Sequence, residues 1–434
     1  MSVTAHAAVL ERVQKWLGDL PPGWSGARLF QVADAWTSNV DKHTVEGQPQ
    51  VRLCNYVDVY KNDSIVDSLD FMAASATRDQ VKRFRIRVGD TLITKDSETA
   101  DDIGVPAFVD YEAEDLVCGY HLAIIRPDRR KAAPKFLYWA LGSEPIARQW
   151  GVTAAGVTRV GIRSTDLSKV TIPLPPLGEQ RAIADYLDRE TAQIDALVAK
   201  QERFIVLLQE RRRMVVPSIL AKATPVGHQP DKLHRRTRMG NGSTPRSGED
   251  RYWLDGDIPW VNSSVVNNPE VHVPSKLVTQ AAVRECHLPM VKPGSLLVAL
   301  TGEGKTRGAA TILRIGSTIN QHLAFIEPDE RFWVPDYLLW LIRSNYEYLR
   351  RISSENGATK GGLTVGDLRA LRLPMPDLRE QHRLVDELEA ATSRIDALIA
   401  KTKEHIALAK ERRSALITAA VIGQFDVRTA RKAS

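Results

Sequence analysis

Two stretches of the chain carry apolar residues at alternating spacings of four and three. From Glu179 to about Ala221 there is no glycine, and the only proline is Pro217. Leu187, Thr191, Ile194, Val198, Gln201, Ile205, Leu208, Arg212, Val215 and Ile219 fall in one heptad seam. From Glu380 to Ala420 the same register returns as Leu388, Thr392, Ile395, Ile399, Thr402, Ile406, Ala409, Arg413, Leu416 and Ala420. A helix of about 42 residues is roughly 60 Å long, and alone it would leave this stripe in water. Each could be an amphipathic surface helix of its own domain. An antiparallel pair is favoured, because the chain between them is long enough to fold and return beside its start. Polar residues at the same few seam positions in both copies would fix register at some cost in stability.

The segments before each helix read as mixed α/β. Strand candidates are Val51–Val59, Phe84–Val88, Thr91–Thr94, Ile258–Val261, Ser295–Leu300 and Leu323–Glu327, broken by turns such as Asp255-Gly256-Asp257 and Lys292-Pro293-Gly294. Pro134–Gly142 and Pro335–Ser344 read as short helices opened by proline, with Trp139 and Trp340 as core anchors.

The two patterns belong to one internal repeat. His121-Leu122-Ala123 returns as His322-Leu323-Ala324, and Gly156-x-Thr158-Arg159-x-Gly161 as Gly357-x-Thr359-Lys360-x-Gly362. Pro173-Leu174-Pro175-Pro176-Leu177-Gly178-Glu179-Gln180 maps onto Pro374-Met375-Pro376-Asp377-Leu378-Arg379-Glu380-Gln381, and Ile194-Asp195-Ala196-Leu197 onto Ile395-Asp396-Ala397-Leu398. All stand at an offset of 201, as 322 less 121. Upstream the register loosens: Gly89 resembles Gly294 at an offset of 205, and Val51–Ile65 and Asp257–Val271 share little. Each half has a divergent front and a matched back, a tandem of whole domains rather than a solenoid of short units.

Composition narrows the function. The chain has 434 residues, 43% hydrophobic and 26% charged, with net charge +6. That is ordinary globular composition with a mild basic excess, compatible with nucleic acid without requiring it. Residues 21–175 carry 19 Lys/Arg against 20 Asp/Glu, and 223–375 carry 19 against 15, so DNA would have to be held by local patches. No spanning segment or signal peptide is read, and a cytoplasmic protein is expected. Cys54, Cys118 and Cys286 lack the paired spacings of zinc sites or disulfide frameworks and read as buried or incidental thiols. Ser295–Thr306 resembles a phosphate loop only superficially, since Ala299 stands where the first glycine is required. Asn267-Asn268-Pro269-Glu270 lacks the second proline and the aromatic of an adenine-methyltransferase motif. His121 and His322 read as buried, hydrogen-bonded strand residues without a partner nearby in sequence.

The proline-rich Glu-Gln motif followed by a long helix with Ile-Asp-Ala-Leu, given twice, resembles the specificity subunits of type I restriction-modification systems. Gly242-x-Thr244-Pro245, Tyr252-Trp253-x-Asp255-Gly256-Asp257-Ile258-Pro259-Trp260-Val261 and Leu20-Pro21-Pro22-Gly23-Trp24 add to the resemblance. The first half lacks the Thr-Pro and Gly-Asp-Ile-Pro-Trp signatures. The resemblance implies an α+β protein: two mixed α/β target-recognition domains in pseudo-two-fold tandem, separated by two long helices forming an antiparallel coiled coil. Its parts would be an N-terminal helix (1–20), a first recognition domain (21–175), a spacer helix (176–222), a second recognition domain (223–375), and a second spacer helix with the tail (376–434). Each domain would read one half of a split, asymmetric site in double-stranded DNA. The helices, through seam residues such as Leu187, Ile194, Val198, Ile205, Leu208, Leu388, Ile395, Ile399, Ile406 and Leu416, would set the gap between the half-sites and dock two modification (methyltransferase) subunits. Those partners bring S-adenosylmethionine, the chain itself needing no cofactor or metal, and motor-nuclease subunits are optional further partners.

Base reading requires donors and acceptors on loops, with Lys or Arg on the phosphates. The candidates are Lys42, Asn55, Lys61, Thr158 and Arg159 in the first half, and Arg246, Asn262, Ser263, Lys305, Arg307, Thr359 and Lys360 in the second. The rival readings are a DNA-modifying enzyme with unrecognised motifs and a coiled-coil scaffold that binds no DNA.

Overall fold

The computed structural model describes residues 11–156, 158–223, 230–302, 304–355 and 362–430. The chain divides into two compact units, Met1–Glu202 with Lys403–Ser434, and Arg203–Thr402. The division runs through the middle of both long helices, Leu177–Ala221 and Leu378–Val421. Each unit thus holds the beginning of one long helix and the end of the other.

In the first unit a five-stranded sheet has the order Ala33–Thr37, Leu122–Pro127, Thr91–Thr94, Pro106–Val109, Ser64–Ile65. All its pairs are antiparallel except the last. A three-stranded sheet places Gln50–Cys54 between an antiparallel Met72–Ser75 and a parallel Leu116–Cys118. In the second unit the corresponding sheets are Thr237–Asn241, Leu323–Pro328, Leu296–Ala299, Ala310–Leu313, Glu270–Val271, and Lys276–Val278, Ile258–Val261, Thr318–Ile319. Orders and directions are identical to those of the first unit. The fronts that share little sequence therefore share their topology, because alternating burial on a pleated strand can be met by many residue sets.

Two strand expectations are corrected. Val51–Val59 stops as a strand at Cys54, since Asn55 opens the helix Tyr56–Tyr60 and its N–H donates to the Asp58 carboxylate. Phe84–Val88 is no strand: Thr77 and Gln80 form a capping box that starts the helix Arg78–Phe84, leaving only an isolated bridge at Arg85. The proline-opened helices form at Pro134–Leu141 and Pro335–Ser344. Trp139 is buried and donates from Nε1 to Asp188, while Trp340 packs half-buried on its own core.

In the first unit Ile183, Ala184 and Leu187 of one helix and Ile417, Ala420 and Val421 of the other join a core with Phe136 and Leu137. In the second, Leu384, Val385 and Leu388 meet Ile219, Leu220, Tyr337 and Leu338. Within each unit the two helix segments run antiparallel. Asp195 faces Arg413 and Glu202 faces Lys410 in one; Arg212 faces Asp396 and Lys222 faces Glu387 in the other. The polar seam residue of each copy, Arg212 or Arg413, is thereby the partner of the aspartate of the other copy's Ile-Asp-Ala-Leu. Leu208, Ile219, Ile395 and Thr402 are buried and Ile194, Val198, Ile205, Ile399, Ile406 and Leu416 half-buried, as the heptad reading requires.

The Glu-Gln motif has a structural reason. The fully buried Gln180 accepts a hydrogen bond from Ala133 N–H at 2.7 Å and donates to the carbonyls of Lys131 and Pro175. Gln381 repeats this with Val334 N–H at 2.8 Å and the carbonyls of Phe332 and Pro376. One side chain satisfies the backbone at the start of the proline-opened helix and the turn before the long helix. Removing it strands buried polar groups, each costing on the order of 1–3 kcal/mol. Gln381→Ala is expected to destabilise the protein by about 2–4 kcal/mol in urea unfolding. Gln381→Glu should cost at least as much despite its matching shape, because it sets an oxygen against two carbonyls.

Candidate nucleic-acid interface

In each unit the loops gather where the central strand of the five-stranded sheet ends. In the first unit this corner holds Lys95, Asp96, Tyr120 and His121. The N–H of Lys95 donates to the carbonyl of His121, and Ile162 N–H donates back to the carbonyl of Lys95, which seats the Gly-x-Thr-basic turn beside the corner. In the second, Leu300 N–H bonds the His322 carbonyl and Leu363 N–H bonds Leu300. Thr158 and Arg159 are exposed on that turn; Thr359 and Lys360 lie outside the described residues.

The histidines differ from the sequence reading. They stand in the turn before the strand and are half-exposed, not buried within it. His121 Nδ1 is 2.8 Å from Asp96, and His322 Nδ1 is 2.9 Å from the Thr301 hydroxyl. Leu122 pairs with Thr94 and Leu323 with Ala299, so Asp96 and Thr301 occupy one position.

Strand register also equates Asn55 with Asn262. Cys54 stands opposite Cys118, and Val261 opposite Ile319, on parallel strands related by the repeat. Each asparagine opens a short helix. Asn262 Oδ1 accepts from the N–H and hydroxyl of Ser264, which commits it to a capping role, and Ser263 is half-buried beside it. The missing Gly-x-Thr-Pro of the first half is explained at the same place. A Cβ on Gly242 would sit 1.8 Å from the Ile319 carbonyl; the equivalent Ser38 instead donates its hydroxyl to the Cys118 carbonyl at 2.6 Å.

The remaining candidates are dispersed. Lys42 is exposed on the loop leaving Ser38, and Lys61 ends the Tyr56–Tyr60 helix, two residues before Asp63, which pairs with Arg413. Arg246 is exposed and its carbonyl accepts from Trp253 Nε1. Lys305 is exposed on a loop strapped to the helix Tyr346–Glu355: Tyr346 donates to the Lys305 carbonyl, Arg350 to that of Gly304, and Arg307 to Ser354. The corresponding loop of the first unit is acidic, with Glu98, Asp101 and Asp102, and Asp102 accepts from the Tyr60 hydroxyl at 2.9 Å. The Tyr56 phenol is held above its ordinary pKa by burial and by Asp102, against the hydrogen bond to Ser97 and the charge of Arg159. Cys54 and Cys118 are buried, and burial pushes both thiols up.

Sequence reasoning did not single out Lys95, Asp96, Tyr120 or Gln321, and named Thr244 only as part of the Gly-x-Thr-Pro signature. Tyr120 and Gln321 immediately precede the repeated His-Leu-Ala, at the upstream edge of the matched block, where no neighbouring residue is shared to mark them out. Among the described residues no group of three or more His, Cys, Asp or Glu is placed to hold a metal, and no helix is long and apolar enough to cross a membrane.

A scaffold given twice, with the same corner furnished by different polar side chains, defines a tandem recognition protein. The chain belongs to the type I restriction modification DNA specificity domain family, matched over residues 56–203 and 238–408, and is a specificity subunit of that class of system. It is 23% identical to the putative type I restriction enzyme MjaX specificity subunit of Methanocaldococcus jannaschii, over 95% of this chain and 96% of that protein. It is 22% identical to the EcoR124I/EcoR124II specificity subunit of Escherichia coli, over 60% and 64%. The fold matches the HsdS subunit of Thermoanaerobacter tengcongensis with a TM-score of 0.57 at 21% identity, covering 94% and 98% of the two chains. It also matches a chain from a structure of type I R-M complex assembly and conformational transition, at 0.70 and 21%, covering 94% and 100%.

Arg159 is exposed on the Gly-x-Thr-basic turn of the first unit. Arg159→Ala is expected to weaken binding to all DNA sequences alike and to reduce the slope of log affinity against log salt by about 0.9, measured by fluorescence anisotropy over a salt series.

Proposed function

We propose that each unit reads one half of a split, asymmetric sequence in double-stranded DNA through its corner, and that the long helices set the gap and dock two modification subunits. The observation that carries this reading is the identity of topology in the two units beside the difference in their corners. A fixed scaffold positions, and a few side chains on its loops choose bases. Neither a scaffold without a DNA role nor an enzyme accounts for that combination. The chain has no methyl-transfer centre of its own; S-adenosylmethionine and the chemistry on adenine belong to the partners, and motor-nuclease subunits are optional additions. The complex works in the cytoplasm.

Replacing residues 223–375 with the corresponding domain of another member is expected to change one half-site and leave the other intact. Methylation of a randomised duplex library by the complex reads this out, and a change in both half-sites would refute the division of labour.

Partner docking on the helices is supported by large apolar side chains left in water. Phe204, Leu207 and Met214 are 44%, 54% and 67% exposed at non-seam positions of the helix, with Leu207 and Met214 a heptad apart. Leu207→Asp should weaken association with the modification subunit by roughly tenfold or more while leaving the melting temperature of the chain unchanged, since an exposed side chain of this kind contributes little to folding.

A further inference from the structure

Tyr120 and Gln321 stand at one position of the two corners, each between the end of a short strand and the repeated histidine. Their surroundings differ in chemistry. Gln321 Oε1 accepts from the Thr244 hydroxyl, and Nε2 lies 3.3 Å from His322 Nε2. A glutamine amide has two acceptor lone pairs and two N–H donors. One of each is engaged by the neighbours, which fixes the amide plane and leaves one acceptor and one donor for a ligand. That remaining pair matches the N6 donor and N7 acceptor on the major-groove edge of adenine. Tyr120 is 48% exposed, and the Lys95 ammonium lies over its ring at 4.2 Å. The His121 ring meets Tyr120 in an edge-type contact with centroids 4.9 Å apart, and Asp96 is taken up by His121. A cation held by a ring offers only donors, the match for the O6 and N7 acceptors of guanine. At the position of Lys95 the second unit has the buried Leu300, so this cation is private to the first unit.

We infer that Gln321 selects adenine in one half-site, and that Lys95 with Tyr120 selects guanine in the other, making this corner the specificity determinant of both units. The inference rests on the proposal that the corners face DNA. The test is enrichment from a randomised duplex library by the full chain in complex with its modification subunits, with sequencing of the bound fraction. The native complex should require adenine at one position of one half-site and guanine in the other. Gln321→Leu should relax the adenine preference by roughly five- to a hundredfold and leave the other half-site unchanged. Gln321→Glu, of the same size but without the amide donor, should move the preference toward cytosine, whose amino group a carboxylate accepts. Tyr120→Gln combined with Lys95→Leu should convert guanine to adenine in the other half-site. If the Gln321 variants keep the native pattern, or only lower enrichment uniformly, the assignment is wrong. If the native complex enriches no split sequence at all, the reading of the corners as DNA-facing falls with it.

Discussion

A long helix with an apolar seam is unstable alone, and here its attachment depends on one buried amide. Gln180 and Gln381 each reach from the first turn of a long helix to the backbone where the proline-opened helix begins. A buried amide with three partners has little freedom to turn, so the helix leaves its sheet domain in a fixed direction. The cores then close around that direction. Leu187 and Leu388 lie in equivalent places, each meeting the end of the other long helix within its own unit. The Arg413–Asp195 and Arg212–Asp396 pairs are exposed enough to contribute little energy, and their value lies in register, since only one antiparallel alignment brings both charges together in each unit.

The same scaffold tolerates very different surfaces. Ser38 and Gly242 solve one steric problem in two ways, one by a hydroxyl that bonds the neighbouring carbonyl, the other by having no side chain to collide with it. Asp96 and Thr301 each hold a histidine through Nδ1, one with a charge and one without. Such exchanges keep the backbone where it is while altering what it offers to a ligand. That is the behaviour expected of a recognition protein, in which the frame positions and the loops discriminate.

Much of the architecture was legible in the sequence. The heptad stripe, the proline-opened helices, the central strands and the 201-residue offset are local or periodic features, and each follows from the geometry of a helix or a pleated strand. The readings that failed turned on capping residues: Asn55 ends an apolar run by opening a helix, and Thr77 with Gln80 starts a helix that takes in Phe84. The Gly-x-Thr-basic turn was singled out because both copies keep it, and in the first unit the structure seats it beside the histidine corner.

The site itself was only partly readable. Sequence comparison pairs residues at a constant offset, but the fronts of the two halves run at 204, 205 and 207, as Thr37 with Asn241, Asp96 with Thr301 and Asn55 with Asn262 show. The offset of 205 was visible in sequence at Gly89 and Gly294, whereas those of 204 and 207 came from hydrogen-bonded strand register, because insertions in loops shift the numbering without shifting the sheet. The partner of His121 lies 25 residues away and that of Gln321 77. The sequence by itself determined that there are two domains and two long helices with a common seam, since these rest on repetition and period. Which polar side chains meet at a corner was decided only by the tertiary structure, since their proximity comes from strand pairing across long stretches of chain.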